Sequence, residues 1–99
     1  HLQLHVLTAD THGTVEEKLT GLPCSVRIIG AEAQDLRKRE YVVAVGPKMA
    51  AAVGNGRNDA LMLQAAVLGI CLIQKEGASC RALQAADVVC TNILDVFDL

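Results

Sequence analysis

Val53-Gly54-Asn55-Gly56-Arg57-Asn58-Asp59-Ala60-Leu61-Met62-Leu63 is the stretch that decides how this chain folds. Small apolar residues from Met49 to Val53 lead into two glycines that bracket Asn55. The polar pair Asn58-Asp59 then opens a run with Leu61, Ala65 and Leu68 at helical spacing. The pattern predicts strand, tight loop, helix. Such a junction puts loop residues at the carboxyl edge of a parallel sheet, where open α/β folds bind ligands and a helix N-terminus adds partial positive charge. Asn55, Asn58 and Asp59 would converge where a cation or a phosphate could sit. The simpler reading is local: Gly-Asn-Gly makes a turn, and Asn-Asp starts a helix, with no ligand at all.

Upstream of this junction, Leu2, Leu4, Val6 and Leu7 make a strand that ends at Thr8-Ala9-Asp10. Thr11 to Gly13 is a turn, and Thr14-Val15-Glu16-Glu17 is a capping box for a short helix that Gly21 and Pro23 stop. Cys24 to Ile29, rich in β-branched residues, is a second strand. A polar helix follows from about Ala33 to Val45, with Asp35 and Arg39 at i,i+4 and Gly46-Pro47 as its stop. Arg37, Lys38 and Arg39 on it read, by themselves, as a solvated face.

Met49 to Val53 is the third strand, and the helix after the loop runs to Leu68. Ile70 to Ile73 is the fourth strand, Gly77 opens a helix through Ala86, Val88 to Cys90 is a short fifth strand, and Asn92 caps a last helix to Leu99. Strands alternating with helices predict one α/β domain over residues 1–99. Its expected architecture is a three-layer α/β/α, Rossmann-like, doubly wound parallel sheet.

Composition narrows the functional classes. The 52% apolar content suffices for one core in 99 residues. A net charge of -2 supplies no basic field for nucleic acid or an anionic membrane, and Tyr41 and Phe97, as the only aromatics, make no base-stacking platform. The apolar run from Ala65 to Ile73 is far shorter than the roughly 20 residues of a membrane-spanning helix. Without a basic stretch leading into an apolar signal core, the expected location is the cytoplasm. Cys24, Cys71, Cys80 and Cys90 lack paired metal-ligand spacing, and three of them fall in strand-like runs, so reduced core thiols are expected. His5 and His12 have no helix-spaced partner and read as ordinary strand and turn residues.

The string from Gly54 through Asp59, with its continuation Leu61, Met62, Leu63, Ala65, Ala66 and Gly69-Ile70, resembles the fourth motif of haloacid dehalogenase-like phosphohydrolases. It is most similar to the Gly-Asp-Gly-x-Asn-Asp segment of P-type ATPase phosphorylation domains and their small soluble relatives. The resemblance implies that Thr8, at the end of the first strand, is the hydroxyl of the second motif and donates to a phosphoryl oxygen. It implies that Lys38, sixteen residues before Gly54, is the lysine of the third motif and neutralises the phosphoryl group. Gly54 and Asn58 would join Thr8 and Lys38 in holding phosphate, while Asn55 and Asp59 would hold Mg²⁺. The family has an acid where this chain has Asn55, which removes one negative charge from the metal site.

The family's nucleophile is an aspartate in an Asp-x-Asp-Gly-Thr or Asp-x-x-Gly-Thr sequence that precedes the second motif. With Thr8 in that second motif, the resemblance implies that the nucleophile and its strand are missing from the amino end of this chain, which begins at His1 without an initiator methionine. The expectation is the carboxy-terminal part of a Mg²⁺-dependent phosphohydrolase acting on a small phosphorylated substrate. A non-catalytic anion-binding or interaction module of the same fold is the alternative. In a rival alignment Asp10-Thr11-His12-Gly13-Thr14 supplies the nucleophile, Asp10, but the next strand then ends Ile28-Ile29-Gly30 with no hydroxyl. In the family the nucleophile's strand lies between those bearing Thr8 and Gly54. If the halves close without it, the strand order is 2-1-3-4-5; otherwise an exposed sheet edge would favour a homo-oligomer.

Overall fold

The computed structural model describes residues 3–8, 24–30 and 32–99. The chain divides into two compact units, His1–Gln34 and Asp35–Leu99. In the first unit, β1 (Leu4–Thr8) and β2 (Cys24–Ile28) pair in parallel, with Leu4 opposite Cys24 and Thr8 opposite Ile28. Val6 and Val26 are half-buried, Ser25 and Arg27 are exposed, and among the described residues of this unit only Ile29, just past β2, is buried. The turn at 11–13, the capping-box helix from Thr14 and His12 lie outside the described residues.

The second unit follows from α1 (Gln34–Val45), which has Val42 as its only buried residue. Gly46 ends it with φ of +116°, a backbone suited to glycine, and donates its N–H to the Val42 carbonyl at 3.0 Å. Pro47, which has no N–H to give a strand, starts a single 3₁₀ turn, Pro47–Met49, where the third strand was expected to begin. That strand, β3 (Ala51–Gly54), starts two residues later than expected and runs into the loop. A 3₁₀ turn at Arg57–Asp59 leads to α2 (Ala60–Ala65), then β4 (Leu68–Leu72), α3 (Cys80–Ala85), β5 (Val88–Cys90) and α4 (Ile93–Val96).

Strands β3, β4 and β5 form one parallel sheet in that order, so the strands pair as 2-1 in one sheet and 3-4-5 in another. The α/β class with parallel strands is as expected. Further boundaries also differ from the sequence reading. Leu68 continues the helical spacing of Leu61, yet α2 stops at Ala65: Val67 turns its N–H to the carbonyls of Pro47 and Ala50, and Leu68 enters β4. Gly77 does not open α3; it lies in a turn with φ of +91°, and Ser79 caps the helix by accepting from Ala82 N–H at 3.1 Å. The last helix is capped by Asn92, as expected, but has four residues and does not reach Leu99.

β4 is central in its sheet and organises the core. Ile70 and Leu72 pack with Cys90, and Val53, Leu68, Val88 and Val96 close around them. Burying a side chain such as Ile70 contributes about 2 to 3 kcal/mol. Gly69 permits the close fit: a Cβ there would overlap the Leu63 carbonyl oxygen, so strand and helix could not approach as they do. Its N–H donates to Asp87 Oδ2 at 2.8 Å, and its carbonyl accepts from Asp87 N–H at 2.7 Å, fixing where β5 begins. All four thiols are free; Cys71 and Cys90 are buried, Cys24 is half-buried, and Cys80 is exposed on α3. Among the described residues, no helix is long and apolar enough to cross a membrane.

Candidate functional site

The site is built at the carboxyl end of β3. Glycine at 54 is required there: a Cβ would stand 2.5 Å from Asp59 Cγ, so only a bare backbone lets the Asp59 carboxylate fold back over the strand end. The carboxylate uses that room. Its Oδ2 accepts from the backbone N–H groups of Asn55 (3.1 Å) and Gly56 (3.0 Å), and its Oδ1 meets Lys38 Nζ at 2.7 Å. Asp59 stands at the start of α2 but makes no side-chain cap bond to it, so the purely local reading of Asn-Asp as a helix start misses what this carboxylate does.

Lys38 comes from α1, twenty-one residues away in sequence, and its ammonium also donates to Asn58 Oδ1 at 3.1 Å. The side chains of Lys38 and Asp59 are only 12% and 11% exposed. A helix lysine on a solvated face keeps its ammonium in water, whereas this one is drawn into a partly buried, charge-assisted contact. Such a pair gains less net stability than its Coulomb attraction suggests, because both ions lose water. Its firm consequence is geometric: the carboxylate fixes the ammonium beside the loop. Burial pushes the Cys71 thiol above its ordinary value of 9.0, and the negative charge of Asp59 pushes it further in the same direction. Cys71 is opposite Gly54 in the β3–β4 register, which explains why it feels that charge.

Of the residues singled out by sequence, Lys38, Gly54, Asn55, Asn58 and Asp59 come together in the Asp35–Leu99 unit. Thr8 is the last residue of β1 in the other unit, and its side chain, like Asp10, lies outside the described residues. His5 lies in β1. Sequence reasoning missed Gln74 and Glu76, whose side chains accept from Asn55 Nδ2 at 3.2 and 3.1 Å. Their only signal was the polar run Gln74-Lys75-Glu76-Gly77 after a strand, which marks a loop without saying what the loop touches.

The resemblance implies Mg²⁺ on Asn55 and Asp59, and the donor set can be tested for it. Mg²⁺ is usually bound through one or two carboxylates together with waters and substrate phosphates. Here the one acid of the loop has Oδ1 on an ammonium and Oδ2 on two backbone N–H groups, while the Asn55 amide nitrogen faces Gln74, Glu76 and Gly77. Among the described residues, no three His, Cys, Asp or Glu side chains are grouped to hold a metal ion. These residues do not fit a Mg²⁺ site, and Asp59 acts instead as the partner that positions Lys38.

Comparison with known proteins adds one relative. Over 48 residues the chain is 48% identical to an uncharacterized protein of Methanocaldococcus jannaschii. The match covers 48% of this chain and 52% of that protein, so the chain spans about half the length of the curated relative it matches. No family model and no solved structure matches the chain.

Proposed function

We propose that this chain is the carboxy-terminal part of a haloacid dehalogenase-like phosphohydrolase, bearing the second, third and fourth motifs, and that the loop after β3 receives the phosphoryl group of a small phosphorylated substrate. The observation that carries the reading is the Lys38 ammonium held on Asn58 and Asp59. An ammonium has three donors. Among the described residues Asn58 and Asp59 take two, which leaves the third for a phosphoryl oxygen, where fixed positive charge counts most as negative charge shifts during transfer. Gly54 keeps the strand end open for Asp59, and Thr8 would donate from the end of β1. The attacking carboxylate belongs to the first motif, upstream of Thr8. The Mg²⁺ dependence that the resemblance implies would need carboxylates other than Asp59, since Asn55 offers only an amide.

In this reading the pieces 2-1 and 3-4-5 belong to one three-layer, doubly wound sheet of a cytoplasmic protein. Its order is 2-1-3-4-5, with the nucleophile's strand between β1 and β3 in the complete protein; without that strand, the free edge would favour a homo-oligomer. The amide at position 55, where the family has an acid, favours a second reading: a non-catalytic anion-binding module of the same fold.

The test is turnover of a generic phosphomonoester with Mg²⁺ by purified chain 1–99, and the expected result is none. Turnover abolished by Asp10→Asn would replace this reading with a minimal phosphatase using Asp10 as nucleophile. Turnover in the intact parent protein that survives Lys38→Met would remove Lys38 from the chemistry.

A further inference from the structure

Asn55 is tied to residues 74–79 on both its side chain and its backbone. Its Nδ2 donates to Gln74 Oε1 at 3.2 Å, Glu76 Oε1 at 3.1 Å and the Gly77 carbonyl at 3.5 Å, while its own carbonyl accepts from Ser79 N–H at 2.8 Å. The orientation of the amide is dictated by its partners. An ionised carboxylate and a backbone carbonyl can only accept, so the NH₂ end must face them. The segment has a defined shape of its own: Gly77 N–H donates to the Gln74 carbonyl at 2.8 Å, Gly77 takes φ of +91°, and Ser79 caps α3. Helix α3 in turn packs on the turn Arg57–Asp59.

On its other side, Asn55 donates its backbone N–H to Asp59 Oδ2, and Asp59 Oδ1 holds Lys38. One line of hydrogen bonds therefore runs from Lys38 through Asp59 and Asn55 to Glu76. We propose that Asn55 is the latch of a strap, residues 74–79, that fixes the Asp59 loop and through it the Lys38 ammonium. Position 55 here requires a hydrogen-bond donor, not a metal-binding acid. An aspartate would point a carboxylate with no proton to give at the Glu76 carboxylate and the Gly77 carbonyl, where like charges so close repel, and Gln74 would have to turn its amide round to donate. The latch is independent of what the Lys38 site binds.

Amide hydrogen exchange and the Lys38 Nζ resonance, read by NMR on chain 1–99, test it. Asn55→Asp is expected to speed exchange at the Gly77 and Ser79 amides about tenfold or more, the ratio that a loss of roughly 1.4 kcal/mol in local closing produces, and to move the Lys38 Nζ resonance. Adding Glu76→Gln in that background supplies an amide donor to the new carboxylate and is expected to return both signals toward the parent values. A purely structural loss at position 55 would not be repaired from position 76. Glu76→Ala, at an exposed side chain, is expected to speed Ser79 exchange less than Asn55→Asp does. Unchanged exchange in both single variants, or a double variant no nearer the parent than Asn55→Asp, overturns the proposal.

Discussion

Strands β2 and β4 are both five-residue parallel strands, yet one is scarcely covered and the other is the centre of a core. No residue of Cys24-Ser25-Val26-Arg27-Ile28 is buried, whereas Gly69, Ile70, Cys71 and Leu72 all are. The sequences already differ in kind: β2 places Ser25 and Arg27 between its apolar residues, while β4 is apolar throughout, the mark of a strand covered on both faces. Neighbours complete the contrast, since β4 has a ladder on each side and, among the described residues, β2 pairs with β1 alone. A strand's own β-propensity decides little; what packs on it decides how much a substitution costs.

Four comparisons would break or sharpen that contrast. The largest effect is expected from Gly69→Val, whose side chain meets the Leu63 carbonyl and costs about 3 kcal/mol or more, while Ser25→Val in β2 changes stability by no more than about 0.5 kcal/mol. Urea titration of both variants reads this directly, and equal midpoints would erase the distinction. Ile70→Ala should cost about 3 kcal/mol, against less than about 1 for Val26→Ala, in the same titration.

Asp59→Asn, which strands the partly buried Lys38 ammonium, is expected to cost about 2 kcal/mol, less than a fully buried pair would. Lys38→Met with Asp59→Asn should cost less than the two single changes added together. Strict additivity in that cycle would mean that the two groups do not interact. The smallest effect concerns pH. The Cys71 thiol is raised in the fold, so its contribution is intact below the ordinary thiol value of 9.0 and is lost as pH rises through the higher folded value. Thermal midpoints should therefore fall more steeply above pH 9 in the parent chain than in Cys71→Ala.

Much of the Lys38 site was legible because it is carried by short-range pattern. Gly54 through Asp59 reads as a strand-loop-helix junction from its own residues, and Lys38 acquires meaning once that junction is compared with a known motif. Other features depend on partners far away in sequence. Leu68 keeps helical spacing, and only the Val67 bonds to Pro47 and Ala50 show that α2 has already ended. Glu76 looks like any loop acid until its oxygen is found on Asn55. Asp87 gives no local hint that it receives the Gly69 N–H. Propensity places elements, whereas side-chain bonds across about twenty residues of chain appear only in three dimensions.

The central claim, that the loop after β3 and Lys38 form a phosphoryl-anion site, is tested most directly by titrating chain 1–99 with inorganic phosphate, without divalent metal, while following the Lys38 Nζ resonance and the amides of residues 54–59. The account predicts saturable shifts at Lys38, Asn58 and the loop amides that Lys38→Met removes without unfolding the chain. Shifts that do not saturate, or that persist unchanged in Lys38→Met, would contradict it.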